Sequence, residues 1–203
     1  MGRSRLFVQM WQQGDGRADG GFPVAEAEGR RDPVDVGRLL TGAARTIASV
    51  PYCWLATSTA AGLPSMRPMG RLPRGPGDDD WTIRFVTDGR SRKAADIRRA
   101  PEVALLFQRD ADDAYVALTG AARLLTRESE VRRRWKDAYA PFFPTETDRA
   151  NAAFLEVEAR RLELWIRGVT PEPFGLQATT LERDASGAWR LRGSSMGDER
   201  QGL

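Results

Sequence analysis

The chain has 203 residues, 41% of them apolar, and its 31 basic and 28 acidic side chains leave a formal charge of +3. That is enough for one globular domain with a real core, and too little net charge to define a nucleic-acid protein. Histidine is absent and Cys53 is the one cysteine, which excludes imidazole-dependent nucleophile pairs, histidine-ligated zinc and haem, and any intrachain disulfide.

The lone cysteine points to a reducing compartment, and no apolar run approaches the ~18 residues of a membrane span. With no signal-like N-terminus, a cytoplasmic protein is expected. Residues 1–34 carry a short apolar patch, Leu6-Phe7-Val8-Gln9-Met10-Trp11, then glycines and prolines among charges. They read as a flexible arm. The segment Gly14 to Gly20 has GxGxxxG spacing rather than GxGxxG, and no amphipathic helix follows it, so it does not read as a dinucleotide site.

From Asp35 the pattern turns helical. Val36, Leu39, Leu40, Ala43, Ile47 and Val50 fall on one face, with Asp35 as N-cap and Pro51 as stop. Three strands follow, Tyr52 to Thr59, Pro64 to Leu72 and Trp81 to Thr87, expected as a meander. Ser91 to Ala100 reads as a short helix closed by Pro101, and Val103 to Arg109 and Tyr115 to Leu125 as strands. A second helix is expected from Glu128 to Ala140, burying Val131, Trp135 and Tyr139 and turning Arg132-Arg133-Arg134 mainly to solvent. Ala152 to Val157 and Arg161 to Ile166 suggest a strand pair. Gln177 to Arg183 and Ala188 to Arg192 suggest another, turned at Asp184-Ala185-Ser186-Gly187. Many strands and few crossover helices imply a mainly β, α+β architecture, an antiparallel β-barrel with flanking helices over residues 35–192, with 193–203 as a flexible tail.

One segment carries chemistry. At Val86-Thr87-Asp88-Gly89-Arg90-Ser91-Arg92-Lys93 a strand ends in a glycine turn and a helix starts at a serine flanked by Arg90, Arg92 and Lys93. Lys93 and Lys136 are the only lysines in an arginine-rich chain. Unpaired N–H groups, a hydroxyl and cations at a helix start make an anion site suited to phosphate, with Arg67 and Arg71 adding contacts from the preceding strand. The alternative is that Ser91 only caps the helix and the cations form a solvated face. Asp78-Asp79-Asp80 reads as a solvated turn, and Arg132-Arg133-Arg134-Trp135-Lys136 as a packed helix rather than a nucleic-acid contact. Phe142-Phe143-Pro144 is either a loop anchor or a lid.

Phe85 to Ile97, Ala100 to Phe107 and Leu118-Thr119-Gly120-Ala121-Ala122 resemble the pyridoxamine 5′-phosphate oxidase superfamily of FMN-binding split β-barrels. Leu55-Ala56-Thr57, Gly62-Leu63-Pro64 and Arg67-Pro68-Met69 resemble in particular its general stress protein branch. The resemblance implies that Arg67 holds the FMN phosphate, that Pro68 and Met69 offer backbone contacts along the isoalloxazine, and that Val86 and Thr87 line the flavin. It implies that Ser91, Arg92 and Lys93 close on phosphate and ribityl groups, and that Trp165 lies near the ring of the other subunit's flavin in a homodimer.

The chain departs from the authentic oxidase at its substrate motifs. Arg67-Pro68-Met69-Gly70-Arg71-Leu72 lacks that family's terminal lysine, and Phe174-Gly175-Leu176-Gln177-Ala178 carries no cation where two arginines and a histidine are expected. Pyridoxal phosphate formation is therefore not expected. The resemblance implies an FMN-dependent oxidoreductase acting on a small molecule, with no side chain required as acid or base. A flavin carrier or sensor without fast turnover, or a deazaflavin-dependent reductase on the same barrel, are the alternatives; no nucleic-acid or membrane partner is expected.

Overall fold

A computed structural model describes residues 35–192 apart from 76 and 177. The expected arm, the expected tail and Gln177 lie outside the described residues. Helix α1, Val36–Ser49, forms where the apolar period predicts it. Asp35 caps it by accepting from the Gly37 N–H at 2.8 Å, and Leu39, Ala43 and Ile47 are buried. Its C-terminal carbonyls are claimed from outside the helix: Arg71 donates to Ala48 O at 2.9 Å and to Val50 O at 3.4 Å.

The strands are β1 (Tyr52–Ser58), β2 (Pro64–Gly70), β3 (Thr82–Asp88), β4 (Glu102–Arg109), β5 (Ala114–Leu125), β6 (Ala152–Ile166), β7 (Thr179–Arg183) and β8 (Trp189–Leu191). They run antiparallel in the order β2-β1-β4-β5-β6-β7-β8, with β3 on β6. The second edge of β6 is shared, since β3 pairs with its first half and β7 with its second. The ring closes through one main-chain bond just beyond β2, where Leu72 N–H donates to Arg84 O at 2.8 Å. This is a split antiparallel barrel with flanking helices; the strand count implied the barrel, and the family resemblance the split.

Its interior is a product of strand alternation. Leu55, Leu105, Leu118, Leu162 and Leu181 are partners in register across five strands, and each is fully buried. Phe85, Phe107 and Val116 fill the space around that row. Helix α2, Arg92–Arg99, turns Ala94 and Ile97 inward and packs against β1 and β5. A second apolar cluster lies on the outside of the barrel, where Leu125, Phe154 and Tyr139 are buried with Val86, Val131, Trp135 and Leu72 around them.

Three expectations need correction. First, β1, β2 and β3 do not form a meander: β3 joins β6, so only β1 and β2 are a hairpin. Second, residues 152–166 are one strand. Thr119 faces Arg161 and Gly120 faces Ala159, so Arg160 is an extra residue, a β-bulge, and the inward positions change from Leu155, Val157 and Ala159 to Leu162, Leu164 and Ile166. The broken period imitates a turn. Third, the helix from Glu128 is short. Helix α3 covers Glu128–Arg134, the chain extends at Trp135 and Lys136, and a 3-10 turn follows at Asp137–Phe142. That break lets Trp135 meet Tyr139 and Phe143 edge-on, at ring separations of 6.0 and 5.6 Å. A final short helix, α4 (Glu146–Ala150), starts in a capping box between Thr145 and Asp148.

Glu156, outward on β6 and 8% exposed, holds much of this outer layer together. Arg84 reaches it at 3.1 Å, Arg123 at 2.8 Å and Arg134 at 3.6 Å, which ties α3 to β3, β5 and β6. Arg134 therefore turns inward, unlike Arg132 and Arg133. Asp78, Asp79 and Asp80 pair with Arg84, Arg183 and Arg74, three different arginines. Among the described residues no helix is long and apolar enough to cross a membrane.

Candidate functional site

The strand β3 ends at Asp88, and Gly89 brings the turn close to the start of β6, its N–H donating to Asn151 O at 2.8 Å. A Cβ on Gly89 would stand 3.3 Å from that same oxygen, which favours glycine here. Ser91 caps α2: its hydroxyl accepts from Ala94 N–H at 3.4 Å and donates to Asp88 O at 2.7 Å. The capping role is thus real, and the question passes to the cations.

They separate into two groups. Arg90 is taken by carboxylates, lying 2.6 Å from Asp88 and 3.0 Å from Asp148. Arg71 lies past β2 and caps α1. Neither joins an anion site, contrary to the sequence expectation, because Arg90 is paired by Asp88 two residues back as well as by the distant Asp148, and Arg71 is committed to the α1 carbonyls. Arg67, Arg92 and Lys93 form no ion pair among the described residues. They stand close enough to repel one another. Burial, with the charge of Arg67 adding to it, pushes the Lys93 ammonium below the ordinary lysine range, while Asp88 partly offsets this. Burial likewise lowers Arg67, with Asp96 opposing and Arg92 adding.

Arg67 is held in place by groups that do not cancel its charge. Its guanidinium donates to Thr57 Oγ1 at 2.7 Å, to Ser65 Oγ at 2.8 Å and to Leu55 O at 3.3 Å. Thr57, itself buried, donates onward to Asp96 at 3.0 Å. Thr57, Ser65 and Asp96 escaped the sequence reading. The signal was an inward strand position, Thr57, occupied by a hydroxyl where Cys53 and Leu55 are apolar. Arg99 of α2 also donates to the Ser58 and Thr59 carbonyls, which fastens the helix to the β1–β2 turn.

Thr87 adds an independent observation. It is 5% exposed, and its hydroxyl has no hydrogen-bond partner among the described residues. An unpartnered buried hydroxyl is costly, so a group accepting from or donating to it would be stabilising. Clustered cations with no ion pair among the described residues, a helix start and this orphaned hydroxyl fit a phosphate-bearing ligand. They suit the FMN that the family resemblance implies.

The side chains of the remaining expected residues point in different directions. Met69 is buried in the barrel core, whereas Pro68, its neighbour on β2, faces outward. Val86 faces outward into the second cluster, opposite to Thr87. Trp165 is not brought to this site within one chain. Thr87 pairs with Ala153 at the start of β6, and Trp165 lies twelve residues further, roughly 40 Å along an extended strand. Phe142-Phe143-Pro144 resolves as an anchor at Phe143, which is buried, beside an exposed Phe142. Cys53 is buried, and desolvation raises its thiol to about 12, so it is unreactive.

Residues 40–166 match the family model described as pyridoxamine 5′-phosphate oxidase. The fold resembles a Clostridium acetobutylicum protein described as related to general stress protein 26 of B. subtilis, of the pyridoxinephosphate oxidase family. That match has a TM-score of 0.58 at 18% identity and covers 71% of this chain and 94% of the other. A Nostoc punctiforme protein, described as pyridoxamine 5′-phosphate oxidase-related and FMN binding, has a TM-score of 0.58 at 16% identity, covering 77% and 95%. PhzG from Burkholderia lata, solved with tetrahydrophenazine-1-carboxylic acid, has a TM-score of 0.54 at 19% identity, covering 85% and 98%. No curated protein matches the sequence.

Proposed function

The chain belongs to the pyridoxamine 5′-phosphate oxidase family, and from that premise we propose that it is an FMN-binding flavoprotein acting as an oxidoreductase on a small molecule. The observation that carries the proposal is that Arg67 lies within Coulombic reach of both Arg92 and Lys93 while none of the three forms an ion pair among the described residues, together with the buried, unpartnered hydroxyl of Thr87. Arg67 and Lys93 hold the phosphate. Ser91 and Arg92 sit at the α2 start, where backbone N–H groups add to the attraction for an anion. Thr87 supplies a hydrogen bond, and Pro68 and Met69 border the ring through their backbone. When bound, FMN supplies the hydride chemistry; the chain positions it and excludes water. The pyridoxamine-phosphate motifs are absent, so the substrate is a different one.

The outer face of the β1–β2 hairpin supports a homodimer. Trp54 (46% exposed) pairs with Pro68 and Leu106, and Met66 (56% exposed) pairs with Ala56, giving an apolar strip along the sheet. Trp165 stands on the same outward side of β6 as Glu163, which pairs with Ala117, itself opposite Leu106. A second copy covering this strip would bring its own Trp165 toward the first copy's site. The substitution Trp54→Arg is expected to give a folded monomer in sedimentation; an unchanged dimer would refute this interface.

The first test is to purify the full chain, record its visible spectrum, identify released ligand by mass and titrate the colourless protein with FMN. Ser91→Ala with Lys93→Ala should lose flavin while the circular dichroism spectrum stays unchanged, since both residues lie at a helix start. Wild-type FMN affinity in that double variant would overturn the site. Reduction of bound FMN by NADH or NADPH well above the rate for free FMN distinguishes an enzyme from a flavin carrier.

A further inference from the structure

We propose that the groove between α3, α4 and the start of β6 binds a small, flat, largely apolar molecule bearing a single acidic group. Its volume is about 590 Å³, within the range of small-molecule sites. Val131, Trp135, Ala150 and Ala152 make its apolar surface, and Arg132 and Arg149 stand at the rim. The indole is fixed by its edge contacts with Tyr139 and Phe143, so it offers a rigid face for a ring.

The charge count selects the acid. Arg132 is neutralised by Glu128 one turn away. Arg149 donates only to carbonyls, those of Phe143 at 3.2 Å and Pro144 at 3.1 Å, and forms no ion pair among the described residues. Its neighbour Asp148 is engaged by Arg90 and by Thr145. One uncompensated positive charge therefore faces a groove whose other rim carries Glu128. A carboxylate balances it, whereas a dianionic phosphate leaves excess negative charge near Glu128 and a neutral ligand leaves the guanidinium unanswered.

The groove adjoins the proposed flavin site. Ala152 pairs with Asp88, and Val131 and Trp135 share an apolar cluster with Val86. Its standing as the seat of the substrate rests on the flavin reading, but binding of the acid does not.

The test is calorimetric titration of the full chain, with and without FMN, using 2-naphthoate and its neutral counterpart 2-naphthamide. The expected result is binding of the acid below about 1 mM and of the amide about tenfold more weakly. Arg149→Met, an exposed position, should reduce the acid to the level of the amide and leave FMN affinity unchanged. Equal binding of acid and amide, acid binding untouched by Arg149→Met, or no heat with either compound would each overturn the proposal. Arg149-dependent binding in a chain that takes up no FMN would keep the groove and sink the flavin reading. FMN uptake without naphthoate binding would do the reverse.

Discussion

Replacing Thr57 by valine isolates what holds Arg67 in position. The two side chains have nearly the same shape and Thr57 is buried, so no cavity opens; what disappears is a hydroxyl that accepts from Arg67 at 2.7 Å and donates to Asp96 at 3.0 Å. Hydrogen bonds to charged groups contribute about 1.5–3 kcal/mol each, but Asp96 is partly exposed and water can replace its lost donor. A net loss of about 2 kcal/mol is expected, which for a domain of this size lowers Tm by roughly 4–8 °C. The functional effect is separate. Without the intervening hydroxyl, the Arg67 guanidinium is drawn directly to the Asp96 carboxylate and away from the ligand. FMN Kd should then rise about tenfold, or about 1.4 kcal/mol. Thr57→Ser should restore both properties, and adding Asp96→Asn to Thr57→Val should recover affinity without recovering Tm. Fluorescence titration of FMN and thermal melts on the same preparations provide both readouts. A Thr57→Val protein with the expected drop in Tm and an unchanged FMN Kd would refute the argument, because Arg67 would then not reach the ligand.

Gly120→Ala should cost about 3 kcal/mol or more in urea unfolding, since the new Cβ would stand 2.0 Å from Glu158 O across the bulge. For Glu156, burial opposes ionisation, but hydrogen bonds from Arg123 and Arg84 overcome it and hold its carboxyl below the ordinary 4.5. The stability it contributes is complete above 4.5 and is lost as pH falls through the lower folded value. Glu156→Gln should therefore cost about 2–3 kcal/mol at pH 7, and its urea midpoint should fall less than that of the wild type on acidification to pH 3. Lys93 carries the opposite dependence: burial and Arg67 depress it below 10.5, so without ligand its contribution to stability rises with pH between its folded value and 10.5. FMN affinity should instead decline as pH rises through that depressed value, and Lys93→Arg should move the decline to higher pH. Titrations between pH 8 and 10.5 would show no such shift if Lys93 stood apart from the phosphate.

The local features of this protein were legible along the chain. The period of Val36 to Val50 specifies α1, alternating apolar residues specify the inward face of each strand, and Ser91 caps α2 where the sequence placed it. Each depends on neighbours within a few residues, the range over which backbone hydrogen bonding and side-chain period act. The bulge at Arg160 lay beyond that range, because its cause is the strand opposite. The anion site divides along the same line. The sequence named five cations, Arg67, Arg71, Arg90, Arg92 and Lys93, but a charge is available to a ligand only when no carboxylate pairs with it and it is not committed to capping a helix. Tertiary structure added Asp148, 58 residues away, to the Asp88 that already holds Arg90, gave Arg71 to Ala48, and left Arg67, Arg92 and Lys93 without an ion pair among the described residues. Only the fold placed Thr57 and Asp96 behind Arg67, since hydrogen bonds and ion pairs depend on distances in space that residue spacing does not encode.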